Sequence, residues 1–104
     1  MRLLSICVTL LLSSSVFAED ANWNQFRGPR GDGTSTSPGL PLKWSETENI
    51  KWKTPIHGKA WSSPVVWGGQ IWFTTATEDG RELSVLCVDR DTGKILRDQK
   101  LFDV

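Results

Sequence analysis

The sequence predicts an all-β chain, and three observations carry that prediction. The apolar residues between Val65 and Val88 fall in short runs, each bounded by Gly, Asp or Pro-containing turns. No stretch after Ala18 repeats its apolar residues at the 3.6-residue helical period. Valine, isoleucine, threonine and aromatic side chains, which suit a pleated surface, dominate those runs.

The first element lies outside that fold. Of 104 residues, Met1-Arg2 supplies a positive start, Leu3 to Leu12 is an apolar run, and Val16-Phe17-Ala18 closes with a small residue. This pattern predicts a helical signal peptide over 1–18, cleaved after Ala18, and an exported chain, periplasmic or extracellular. The run is short for a membrane span, which needs about 20 apolar residues, and Glu19-Asp20 follow at once. Leu4-Ser5-Ile6-Cys7 is a poor lipoprotein box, because Ile6 is bulky and the apolar run continues past Cys7. No stable span is expected after cleavage.

The mature part is close to neutral. The chain carries 12 basic and 12 acidic residues, and losing Arg2 leaves 11 against 12, a net charge of −1. That balance argues against electrostatic capture of nucleic acid or an acidic membrane. Cys87 is the one cysteine left after cleavage, so this segment forms no internal disulfide. Small exported domains usually need such staples, so the core is expected to extend beyond these residues.

Residues 19–48 read as an irregular lead-in rich in Gly, Pro, Ser and Thr, pinned by Trp23, Phe26 and Trp44. Arg30-Gly31-Asp32 matches an adhesion tripeptide, a chance match in a Gly-rich loop, and the glycines do not join a strand to a helix as a phosphate loop requires. Ser45-Glu46-Thr47-Glu48 could cap a helix, but Ile50-Lys51-Trp52-Lys53-Thr54 alternates with period two. That alternation predicts a strand over 49–55 with one wet face, Lys51 and Lys53 marking an edge or outer position.

The hairpin is the strongest signal. Val65-Val66-Trp67 and Gln70-Ile71-Trp72-Phe73 flank Gly68-Gly69, a two-residue turn. Counting outward pairs Trp67 with Gln70, Val66 with Ile71 and Val65 with Trp72. One face then carries Val65, Trp67 and Trp72, the other Val66, Ile71 and Phe73. Both are apolar, so both need cover. A turn at Glu78-Asp79-Gly80-Arg81 leads to a third strand, Glu82 to Val88, also apolar on both faces. Asp89-Arg90-Asp91-Thr92-Gly93-Lys94 is a further tight turn into Ile95-Leu96, where Asp89 and Thr92 close the turn and Gly93 supplies a positive φ. Three or four short antiparallel strands with short turns make one propeller blade.

No catalytic set can be assembled. His57 is the only histidine, without partners at metal-ligand spacing or a nucleophile to serve. Cys87 sits in a core strand and reads as an inert thiol. Asp89 and Asp91 lack the further oxygens a calcium site needs, and Lys94 is close by. The six tryptophans invite a carbohydrate platform; Trp67 and Trp72 read better as packing between blades, and Trp61 is the best placed for a surface contact.

Cys87-Val88-Asp89-Arg90-Asp91-Thr92-Gly93-Lys94-Ile95-Leu96-Arg97 resembles the repeat of the pyrroloquinoline-quinone-like (PQQ-like) propellers, Ala-x-Asp-x-x-Thr-Gly-Lys-x-x-Trp. Asp89, Thr92, Gly93 and Lys94 match; Cys87 stands for the alanine, and Arg97 for a tryptophan that docks on the next blade. Trp23-x-x-Phe26-Arg27-Gly28-Pro29, Pro41-Leu42-Lys43-Trp44-Ser45, Asn49-Ile50-Lys51-Trp52-Lys53 and Ser62-Ser63-Pro64-Val65-Val66 are similar to the mature start of secreted planctomycete-type members. The resemblance covers about residues 22–104. It implies that 49–104 hold the first strand and first blade of a PQQ-like β-propeller, with 101–104 approaching the next. The partners implied are the remaining blades and other envelope proteins. The implied role is an exported, non-catalytic scaffold or binding module. The other role in the family is a dehydrogenase holding pyrroloquinoline quinone with calcium in further blades.

Overall fold

The computed structural model describes residues 22–103. The expected signal peptide and its cleavage point lie outside the described residues, as does Val104. Among the described residues there is no helix, so none is long and apolar enough to cross a membrane. The fold is all-β: one antiparallel sheet of four strands in sequence order, β1 (Val65–Trp67), β2 (Gln70–Ala76), β3 (Glu82–Asp89) and β4 (Ile95–Asp103).

Gly68-Gly69 sets the first register as counted, with Val65 opposite Trp72, Val66 opposite Ile71 and Trp67 opposite Gln70. β3 continues it, placing Cys87 beside Trp72, Leu86 beside Phe73 and Val85 beside Thr74. Because side chains alternate across a strand, the sheet has two distinct sides. Val65, Trp67, Trp72, Leu83, Val85, Cys87, Arg97 and Phe102 share one, the Cys87 face. Val66, Ile71, Phe73, Thr75, Leu86, Val88 and Asp98 share the other, the Leu86 face. Thr77 closes the turn between β2 and β3, its hydroxyl donating to Asp79 at 2.6 Å.

β4 departs from the expectation. Ile95–Asp103 is a nine-residue strand along β3, so residues 101–103 belong to this sheet and do not leave toward another. Two register shifts, between Leu83 and Ser84 and between Cys87 and Val88, leave Leu96 and Leu101 as extra residues on β4. Bulges of this kind bend an edge strand and spoil it as a pairing template.

The strand expected over 49–55 is absent: no residue there joins a backbone ladder, and Asn49 has a φ of +58°. The alternation is still structural, since Trp52, Thr54 and Ile56 are half-buried and Lys51, Lys53 and Pro55 are exposed. Side chains hold this segment where a ladder was expected. The Trp52 indole N–H donates to the Arg90 carbonyl at 2.9 Å, and the Thr54 hydroxyl to the Gly93 carbonyl at 2.5 Å. The buried Thr75 hydroxyl donates to the His57 carbonyl at 2.7 Å. Thr75 belongs to the Leu86 face, so the end of the segment meets the sheet on that side. Ser45 to Glu48 is a tight turn closed by two backbone hydrogen bonds, with no helix after it.

The lead-in is pinned at one of its three expected aromatics. Trp23 exchanges two backbone hydrogen bonds of 2.8 Å with Val66, adding a single rung outside β1. Phe26 and Trp44 are 74% and 68% exposed and pin nothing. They sit among turns closed over a few residues, such as Asp32 accepting from the Thr34 amide and hydroxyl.

Between that lead-in and β1 the chain forms an arch. Lys59 pairs with Ala76 through two backbone hydrogen bonds, while Val65 pairs with Trp72. Six steps on one side therefore span four on the other; with Ser62 set opposite Thr74, one surplus residue falls at Ala60-Trp61 and one at Ser63-Pro64. The Ser62 hydroxyl stands in for a backbone rung, accepting from the Thr74 amide at 2.9 Å and donating to its carbonyl at 3.1 Å.

Candidate functional site

The residues singled out by the repeat motif meet in the turn between β3 and β4. One oxygen organises it: Asp89 Oδ1 accepts from the Asp91 amide at 2.9 Å, the Thr92 amide at 2.8 Å and the Thr92 hydroxyl at 3.0 Å. The backbone closes the loop from Gly93 N to Asp89 O and from Asp89 N to Lys94 O. These donors favour the ionised carboxylate, and the hydrogen bonds from Thr92 foremost hold Asp89 below the usual aspartate range. Lys94 adds its amide, which donates to the Thr92 hydroxyl at 3.3 Å.

Gly93 explains why the turn needs a glycine. Its φ is +73°, and a Cβ there would meet the Trp52 ring at 2.6 Å and Thr54 Oγ1 at 2.8 Å. The turn is thus a seat for the 50–58 segment: Trp52 and Thr54 rest on Gly93, and Lys51 pairs with Asp91 at 3.2 Å. The alternation around Trp52 was visible in the sequence. Its partner some forty residues away was not, because the acceptors are backbone carbonyls, which carry no side-chain signal.

Cys87 and Arg97 lie further along the strands, opposite one another on β3 and β4. Cys87 is buried and unpaired by any disulfide. Burial pushes its thiol up; the Arg97 guanidinium pulls the other way and Asp89 adds to the rise. A protonated, buried thiol is a poor nucleophile. Arg97 is exposed and donates to Gln99 along its own strand at 3.3 Å.

His57 is less free than a loop histidine. Its Nε2 lies 2.8 Å from Asp98 Oδ2 while its carbonyl is held by Thr75, tying the 50–58 segment to β4. Among the described residues no three of His, Cys, Asp and Glu come together as a metal site. Trp61 stands on its arch 89% exposed, beside a cavity of about 370 Å³ at the end of β2 and β3.

The motif residues therefore form a structural joint, and the Trp61 arch holds an exposed indole between two anchored positions. No family model, no curated protein and no solved structure matches the chain.

Proposed function

We propose that this sheet is one blade of an exported PQQ-like β-propeller that acts as an extracytoplasmic scaffold or binding module, with no chemistry of its own. One observation carries the reading: the Cys87 face is apolar and unfinished. Cys87 at the centre of that side is buried at 1%, but Trp67 and Phe102 at its margins are 61% and 54% exposed; on the other side Leu86 and Val88 are at 0% and 2%, and Ile95 on the edge strand at 37%. Large aromatic side chains left in water on one sheet face mark a surface that another element covers. Stacked blades resolve this, each covering the next in a ring of about 4–8. The Asp89–Lys94 turn supports the same reading, since it matches the repeat residue for residue at Asp89, Thr92, Gly93 and Lys94.

The quinone-and-calcium role finds no seat on these residues. A hard cation takes several oxygen ligands, yet Asp89 Oδ1 already accepts from three donors and Asp91 pairs with Lys51. The test is expression with the leader in a Gram-negative host. The expected product begins at Glu19 outside the cytoplasm, and equilibrium dialysis shows no saturable uptake of pyrroloquinoline quinone in the presence of calcium. An intact Met1 in the cytoplasm overturns export, and saturable uptake overturns the non-catalytic role.

A further inference from the structure

The geometry points to a binding site for neutral saccharides at the Trp61 arch, with the indole as stacking platform and Lys59 and Glu78 as its hydroxyl-reading groups. The proposal rests on the binding-module reading, and its test separates the two.

The arch is a presentation device. Lys59 is fixed by two backbone hydrogen bonds to Ala76, and Ser62 by two side-chain hydrogen bonds to Thr74. Only Ala60 and Trp61 lie between those anchors. Gly58 permits the first: its φ is +71°, and a Cβ there would collide with the Ala76 carbonyl oxygen. A bulge held at both ends re-aims the side chain it carries. Here it turns an indole, the largest apolar side chain, into solvent at 89% exposure. An unsupported tip could do so by accident, whereas this residue is flanked by four hydrogen bonds to β2.

What surrounds the ring selects the ligand. The Lys59 ammonium lies 5.9 Å from the ring centroid and 3.3 Å from Glu78 Oε2. The pair is neutral in sum, with one donor group and one acceptor group. An anionic ligand such as a phosphodiester would meet Glu78, and a cationic one would compete with Lys59 for the ring. A pyranose needs an apolar surface for its C–H face, together with donors and acceptors at its rim, and carries no charge. The cavity beside the ring, about 370 Å³ with Ala76 and Leu83 in its lining, lies within the usual size of small-molecule sites.

The test is calorimetric titration of the protein assembled with its proposed further blades, using three neutral probes, cellohexaose, chitohexaose and maltohexaose. Saturable binding of at least one is expected, with affinity falling at least tenfold in Trp61→Ala and severalfold in Glu78→Gln. Trp67→Phe, on the Cys87 face, should keep the affinity. Because Trp61 is so exposed, its removal should leave the thermal midpoint in place. No saturable binding to any probe, or equal affinity in Trp61→Ala, overturns the site while leaving the blade reading intact. Binding lost equally in Trp67→Phe would move the site to the sheet face and overturn both.

Discussion

β3 and β4 are neighbours in one ladder, yet they live in different environments. β3 holds the buried centre, with Leu86 at 0%, Cys87 at 1% and Val88 at 2% exposure. Every residue of β4 is exposed, including Leu96, Leu101 and Phe102. Both strands have satisfied backbones on the side they share, so hydrogen bonding does not separate them. What differs is cover: β3 lies between two strands, and the 50–58 segment anchors to its turn and to Thr75, whereas β4 has one neighbour. Backbone pairing alone thus produces a strand, while burial requires a second layer.

The largest effects should fall where that comparison is sharpest. In the proposed propeller, Leu86→Ala is expected to cost ~2–5 kcal/mol, the usual range for emptying a sealed core position. Trp67→Ala is expected to cost about 2 kcal/mol or more there, if the proposed neighbouring sheet buries the ring. A denaturant midpoint shift for Trp67→Ala within ~0.5 kcal/mol, the size of an ordinary surface change, would mean that the Cys87 face is meant for water.

Next in size is the joint that seats the covering segment. Gly93→Ala should cost roughly 1–3 kcal/mol from the positive φ alone, and more from collision with Trp52. Trp52→Ala combined with it should relieve the collision, so the double variant should lose less stability than the two single losses added together. If Gly93→Ala is neutral, the turn does not hold the segment.

Arg97→Trp tests β4 itself. If the blade docks through this position, indole in place of guanidinium should stabilise the complete propeller by ~0.5–1 kcal/mol. A fall in midpoint would show Arg97 making a necessary contact of its own.

Acid should act through the same turn. Asp89 is held below its ordinary range, chiefly by hydrogen bonds from Thr92. A carboxylate with a depressed folded pKa contributes stability that is fully present above the unfolded value, about 3.9, and is lost as pH falls through the folded value. Asp32 and Asp79 are lowered as well and share this acid limb. Asp89→Asn keeps an acceptor oxygen but no longer titrates, so stability measured from pH 5 downward should fall less steeply than in the parent. An unchanged slope would assign the acid limb to the other two aspartates.

How much of this was legible depended on where the partner lay. The hairpin could be read because Gly68-Gly69 fixes a register from which every pair is counted. The Asp89–Lys94 turn could be read because its donors and acceptor lie within a few residues. β4 could not be followed past Leu96, since Arg97-Asp98-Gln99-Lys100 is polar on both faces and two bulges break the period. The 49–55 segment shows the opposite failure. Its alternation reports which side chains face inward, and says nothing about whether a backbone ladder exists. The Trp61 arch was half visible: the tryptophan stood out, but the Ser62 anchor acts on a backbone twelve residues away.

These residues fold into a sheet whose Cys87 face keeps Trp67 and Phe102 exposed at its margins, a surface that another sheet is proposed to cover. Size-exclusion chromatography with light scattering, paired with hydrogen exchange on residues 19–104 alone, tests it directly. Self-association or a broad profile is expected, with amides across 65–88 exchanging readily. A sharp monomer with slowly exchanging amides through 65–88 would contradict it and make this chain a small β-domain in its own right.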